Sequence, residues 1–377
     1  MHDSKFYAKI ALLSTLNFPM NRGIVMNDIT KVDKNFTVKT SIEKEDICFY
    51  PMEESPFQIY GIFKENGLYR RMPEAVAKEV NEGVYTLHTD TAGGRVRFVT
   101  DSSYVAIHVR LARIGRMPHF TLAGSAGFDL YADDVYIKTF VPPYDMEDGF
   151  ESVIDFDTRQ TREITVNLPL YGSVKELYIG LQKDAVVQKA TSYKNKKPVV
   201  FYGSSITQGG CASRPGMSYQ NIVAREFHLD YINLGFSGSA RAEDAIIDYI
   251  KDLDMSMFVC DYDFNAPSVE HLRNTHEKLF LAVRKEHPDI PIILMSKPKF
   301  YLDDADEERL NIIRTTYENA KNAGDNKVYL LTGSMLTELC GNEGTVDGTH
   351  PTDFGFASMA KALSTLMKDN NICMDLV

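Results

Sequence analysis

The chain has 377 residues and a formal net charge of −11, with 44% hydrophobic and 25% charged residues. That length suits two domains rather than one. The acidic balance argues against a nucleic-acid partner, which needs a basic face, and no apolar run approaches the roughly 18 residues of a membrane span.

Lys5 and Lys9 precede a short apolar run, Ile10-Ala11-Leu12-Leu13. Asp3 spoils the basic region a signal peptide needs, so none is expected. The cysteines Cys48, Cys211, Cys260, Cys340 and Cys373 are odd in number and widely spaced, with no CxxC. They read as reduced thiols of a cytoplasmic protein, and no metal site is expected from them.

From about residue 35 to 182 the pattern is all-β. Residues 36–42, 57–63, 84–89, 95–100, 104–111, 128–140, 164–168 and 177–181 are rich in β-branched and aromatic residues, with Gly, Pro, Asp and Asn between them. Ala92-Gly93-Gly94 reads as a hairpin turn. This part, residues 1–183, is expected to be a β-sandwich of the jelly-roll kind. A polar, lysine-rich linker follows at 184–198.

After Pro198 the texture changes. Apolar runs at 199–202, 231–234, 257–260, 290–295 and 328–331 alternate with helical patterns at 219–227, 242–253, 269–287, 304–323 and 354–367. Residues 199–377 are therefore expected to form an α/β domain, a flavodoxin-like doubly wound parallel sheet of five strands with right-handed crossovers.

Polar residues follow the strands of this half. Ser205 follows the first, Gly235-Phe236-Ser237-Gly238 the second, and Asp261-Tyr262-Asp263-Phe264-Asn265 the third. Asp347-Gly348-Thr349-His350 precedes the last helix. In an open α/β sheet such groups meet at one edge. Together they are the parts of acyl transfer. A serine hydroxyl needs a base, and His350 is one; Asp347 can hold the other ring nitrogen. The N–H groups of Ser205 and Gly238 and the amide of Asn265 can meet the oxyanion.

These blocks resemble the SGNH (GDSL-type) hydrolases. Gly203-Ser204-Ser205-Ile206 stands for the family's Gly-Asp-Ser block, Gly238 for the second-block glycine, Asp263-Phe264-Asn265-Ala266 for Gly-x-Asn-Asp, and Asp347-Gly348-Thr349-His350 for Asp-x-x-His. Ser204 and Ala266 replace family aspartates. The resemblance implies Ser205 as nucleophile, His350 as base, Asp347 as its orienting acid, and Gly238 with Asn265 in the oxyanion hole. Gly203 through Gly216, and Gly124-Ser125-Ala126-Gly127-Phe128-Asp129-Leu130-Tyr131, are similar to a subgroup in which a β-sandwich precedes the hydrolase.

The function expected is a serine esterase without metal or cofactor. It would remove short acyl groups, acetyl foremost, from a carbohydrate or other small ester. No amphipathic lid is evident that would mark a lipase. The alternatives are an acyltransferase with the same catalytic set, and a non-catalytic carbohydrate-binding protein. Arg214 and Asp263 are candidate substrate contacts, and Asp261 could reach sugar hydroxyls. Cys211 reads as a small buried residue. His88 and His119 read as scattered histidines, unlinked by metal spacing.

Overall fold

The computed structural model describes residues 41–372. The apolar run at 10–13, residues 36–40 of the first expected strand, and Cys373 lie outside the described residues. In chain order the β region lays down β1 (Ile47–Pro51), β2 (Gln58–Tyr60), β3 (Phe63–Glu65) and β4 (Leu68–Arg70). Helices α1 (Glu74–Val80) and α2 (Glu82–Leu87) come next, then β5 (Arg95–Thr100), β6 (Tyr104–Ile114) and the short α3 (Leu122–Ser125). It continues with β7 (Phe128–Ala132), β8 (Val135–Phe140), β9 (Gly149–Asp155), β10 (Arg162–Asn167), β11 (Gly172–Gln182) and β12 (Val187–Gln188).

One antiparallel sheet has the order β1-β11-β6-β9. The other has the order β12-β5-β10-β7-β8, with β2 also on β5. Alternate residues point inward, as the two-residue period of a strand requires. Val96, Phe98, Ile164 and Val166 of one sheet share a core with Val105, Ile107, Leu177 and Ile179 of the other.

Three expectations need correction here. Residues 84–89 are not a strand. Asn81 caps α2, its side chain accepting the Val84 N–H at 2.8 Å, and a side-chain cap of this kind favours the helical turn. The run 128–140 is a hairpin, broken where Asp133 and Asp134 both hold positive φ, +52° and +62°; that is the backbone of a tight two-residue β-turn. Ala92-Gly93-Gly94 does turn, with Gly94 N–H donating to Thr91 O at 2.8 Å, but it leads from α2 into β5 rather than joining paired strands.

The α/β region follows with β13 (Val199–Gly203), α4 (Ser205–Gln208), α5 (Tyr219–Phe227), β14 (Tyr231–Gly235), α6 (Asp244–Lys251) and β15 (Met257–Asp261). After these come α7 (Val269–Glu286), β16 (Ile292–Met295), α8 (Asp304–Asn322), β17 (Val328–Leu331), α9 (Gly333–Leu336) and α10 (Asp353–Asp369). The five strands are parallel in the order β14-β13-β15-β16-β17, the doubly wound arrangement expected. All five residues of β13 are buried. Gly203 pairs with both Gly235 and Asp261, so β13 and its two neighbours, β14 and β15, end level. Among the described residues no helix is long and apolar enough to cross a membrane.

The two regions are joined by buried polar contacts. Asp129 on β7 has no exposed surface. It accepts from Arg214 Nη1 at 2.9 Å, from the Gly216 N–H at 2.7 Å and from Asn167 Nδ2 at 2.8 Å. Arg214 also lies over the Tyr136 ring at 3.7 Å. Arg95 on β5 pairs across the junction with Asp230 at 2.5 Å. Arg71 donates to the carbonyls of Asn233 and Gly235 at the end of β14.

A buried carboxylate that loses its cation is left uncompensated, which costs about 3–5 kcal/mol. Arg214→Ala should therefore lower Tm by a shift corresponding to about 3 kcal/mol, the lower end of that range, since Arg214 keeps some solvent exposure. Arg214→Lys should fall between, keeping the charge but losing the fork. An unchanged Tm in Arg214→Ala would show that the pair does not hold the regions together.

A second buried acid, Asp261, closes β15. Burial pushes its carboxyl up to about 8, against the hydrogen bond from Thr207 Oγ1 at 2.9 Å, which lowers it. With the folded pKa above the ordinary value of about 3.9, the stability this group contributes is fully present below about pH 4 and is lost as pH rises toward 8. Asp261→Asn should therefore gain in Tm over the parent as pH rises across that window, with the gap constant above it. A gap independent of pH would show that this carboxyl titrates normally.

Candidate active site

Gly203 ends β13 where no side chain fits: a Cβ there would stand 2.1 Å from Thr207 Oγ1 and 2.3 Å from the Asp261 carbonyl. That closeness lets α4 sit directly on the end of the sheet. Ser204 caps α4, its hydroxyl accepting the Ile206 N–H at 3.1 Å, and Ser205 is the first helical residue. Ser205 is 7% exposed, its hydroxyl on the rim of the sheet edge.

The loop before α10 brings the histidine to it. Ser205 Oγ stands 2.9 Å from His350 Nε2, and His350 Nδ1 stands 2.7 Å from Asp347 Oδ2. Asp347 also accepts the backbone N–H of His350 at 2.8 Å and of Thr349 at 3.0 Å through its other oxygen. Burial alone would raise the Asp347 carboxyl. The His350 N–H, the His350 ring and the Thr349 N–H outweigh it and hold the pKa at about 2. An ionised Asp347 can only accept, so the ring proton sits on Nδ1 and the Nε2 lone pair faces the serine.

Gly238, in the loop after β14, holds φ +67°, a backbone that favours glycine. Asn265 follows β15 in a short turn, and its Oδ1 accepts the Ala240 N–H at 3.3 Å. That contact turns the amide so that Nδ2 is the remaining donor end.

Arg214 and Asp263 are placed differently from the reading that made them substrate contacts. The Arg214 guanidinium is committed to Asp129 and Tyr131 at the junction of the two regions. Asp263 is 2% exposed and accepts from Arg309 Nε at 2.7 Å and the Lys297 N–H at 3.0 Å. Arg309 also bonds the Ala266 carbonyl, so this pair anchors the turn that carries Asn265. Asp261 is likewise buried beneath the site.

Other residues gather here without a local signal in the sequence. His119, a scattered histidine in the sequence, is one of them. Its ring centroid lies 5.7 Å from that of His350, and its Nε2 lies 3.9 Å from Asp347 Oδ2. Tyr171 of the β region donates its hydroxyl to the Ser205 carbonyl at 3.4 Å. Gln208 ties the two regions under the site: its amide nitrogen donates to Asp90 at 3.0 Å, and its oxygen accepts the Ser237 N–H at 3.0 Å. A cleft of about 820 Å³ is lined by Arg113, Met117 and Tyr171 of the β region and by Ser237, Ser239 and Arg241 of the α/β region, and Tyr171 links it to Ser205.

The GDSL-like lipase/acylhydrolase family matches residues 196–368, and the GxDLY family, the N-terminus of SGNH-hydrolase-type esterases, matches residues 47–187. Gly127-Phe128-Asp129-Leu130-Tyr131 spells out that second pattern, and Asp129 at its centre is the buried carboxylate described above. No curated protein matches the chain.

Among solved structures, one from Bacteroides ovatus described as a GDSL-like lipase is 27% identical with a TM-score of 0.77, over 86% of this chain and 98% of that one. The salicylyl-acyltransferase SsfX3 from a tetracycline biosynthetic pathway is 19% identical with a TM-score of 0.73, over 89% and 100%. The acetyl xylan esterase Est2A from the rumen bacterium Butyrivibrio proteoclasticus is 13% identical with a TM-score of 0.55, over 87% and 99%. The last two show likeness of fold. The two family matches between them span most of the chain: it is an esterase of the GDSL-like lipase/acylhydrolase family, in the branch that carries a GxDLY β region ahead of the hydrolase.

Proposed function

We propose that the protein hydrolyses short-chain esters, acetyl foremost, of a carbohydrate or other small alcohol through a Ser205 acyl-enzyme. The observation that carries this reading is the hydrogen-bonded run Ser205–His350–Asp347, at 2.9 and 2.7 Å, on the edge of the sheet. His350 Nε2 takes the Ser205 proton as Oγ attacks the ester carbon. The oxyanion is met by the N–H groups of Ser205 and Gly238 and by the Asn265 amide. Collapse expels the alcohol, which takes its proton from His350. Water then repeats the sequence and frees the acid.

The cleft between the two regions supports a small polar alcohol as the leaving group, since its lining mixes arginine and serine with Met117 and Tyr171. The fold shared with an acetyl xylan esterase supports the same class. Transfer of the acyl group to a hydroxyl acceptor is a second reading, favoured by the fold shared with a salicylyl-acyltransferase. We place the regions at 1–183 and 199–377 around a linker at 184–198, supported by family matches that end at 187 and begin at 196. Free Cys48, Cys211, Cys260 and Cys340 support a reducing, cytoplasmic setting.

Ser205→Ala should lower kcat on p-nitrophenyl acetate by roughly 10⁴–10⁶, whereas Ser204→Ala, which loses only a cap, should keep most of it. The reverse pattern would move the nucleophile by one residue. Asn265→Ala should cost roughly 10²–10³ in kcat with KM little changed; an effect confined to KM would make Asn265 a binding group. In a series from acetyl to palmitoyl esters, turnover should fall with length. Faster turnover of octanoyl or longer esters would overturn the short-chain reading. Added sugar acceptors that divert product from free acid to a new ester would favour transfer.

A further inference from the structure

His119, Cys211 and His350 come from separate stretches of chain. They are the segment between β6 and α3, the loop after α4, and the loop before α10. Their ligand atoms all lie within 4.8 Å of one another. One thiol and two imidazoles form a donor set that favours zinc and similar soft transition metals over magnesium or calcium. Bonds of about 2.0–2.3 Å in a tetrahedral site put ligand atoms roughly 3.3–3.8 Å apart, so closure by about an ångström is needed. His119, with 39% of its side chain exposed, has room to supply it.

The histidine at the centre is already prepared as a ligand. Asp347 holds the proton on His350 Nδ1, which leaves the Nε2 lone pair outward. A carboxylate behind a histidine in this way fixes tautomer and ring orientation at zinc sites. That lone pair is also the one facing Ser205 Oγ at 2.9 Å, and it cannot serve both.

We propose that His119, Cys211 and His350 bind one zinc-like divalent ion, and that an occupied site is closed to ester turnover. Binding forms a metal–sulfur bond and breaks the Cys211 S–H bond, the proton passing to solvent; nothing is oxidised or reduced. The divalent charge is balanced by the thiolate and by Asp347 behind His350. The β region thereby contributes His119 to a switch on the α/β region. The inhibition rests on the proposed role of His350, whereas the binding does not.

The test uses the full chain, freed of metal with a chelator, and Zn²⁺ alone as probe. Titration calorimetry should give one ion per chain. Esterase activity should fall over the same range and return on adding chelator, and Zn²⁺ should protect Cys211 from a thiol reagent. His119→Asn and Cys211→Ser should each weaken binding by more than the roughly 10–100-fold that loss of an outer partner costs, and Cys211→Ser should hydrolyse p-nitrophenyl acetate as the parent does without metal. Ser205→Ala should bind Zn²⁺ as the parent does. No 1:1 binding, or binding undiminished in both ligand variants, would overturn the site. Full binding with unchanged turnover would overturn the switch. An active Ser205→Ala that still binds zinc would overturn the serine mechanism while leaving the site in place.

Discussion

A carboxylate with no exposed surface, Asp129, governs how the two regions meet. Its donors come from a neighbouring strand, from Arg214 and from the Gly216 backbone. A charge so placed tolerates few geometries, because each missing partner leaves a desolvated oxygen unmet. The loop that runs on from the serine helix is therefore tied to β7, and the β region becomes a wall of the cleft. Gln208 and Tyr171 tighten the same junction within a few residues of Ser205. The GxDLY pattern thus acts through the interface rather than through contact with a reacting atom.

The α/β half was legible because its strands are short, buried runs and its turns carry small or polar residues. Level strand ends are a consequence of parallel register, so residues placed just after successive strands had to share an edge. The β half was less legible. Residues 84–89 carry strand-like composition, yet Asn81 three positions before Val84 caps a helix, and the local hydrogen bond won over propensity. A hairpin hid inside 128–140 because Asp-Asp marks a turn less plainly than Asn-Gly.

Site residues divided along the same line. Ser205, Asp347, His350, Gly238 and Asn265 each stand in a local pattern that points to the task proposed for them. Arg214 and Asp263 stand in loops beside those patterns, where composition does not tell an inward from an outward side chain. The partner that turns Arg214 inward lies 85 residues away, and the partner of Asp263 lies 46 away. His119 carried no signal at all. It sits in a connection whose regular structure is one isolated bridge, Met117 to Phe120, and only the closing of the two regions brings it to His350.

The electrostatics of the site turn on one oxygen pair. Asp347 is partly exposed, and a carboxylate there would ordinarily be a weak orienter. Two backbone N–H groups and the imidazole hold it ionised down to about pH 2, so whenever the His350 ring is neutral its proton sits on Nδ1 and the lone pair on Nε2. The catalysis proposed for this site needs that lone pair aimed and unoccupied. The aiming is done by a turn of four residues, Asp347 to His350, folded on itself by its own side chain. What reaches the lone pair is decided elsewhere, by α4 below it and by the His119 segment beside it. The α/β region therefore aims the proposed base through Asp347, and the β region brings His119 beside it.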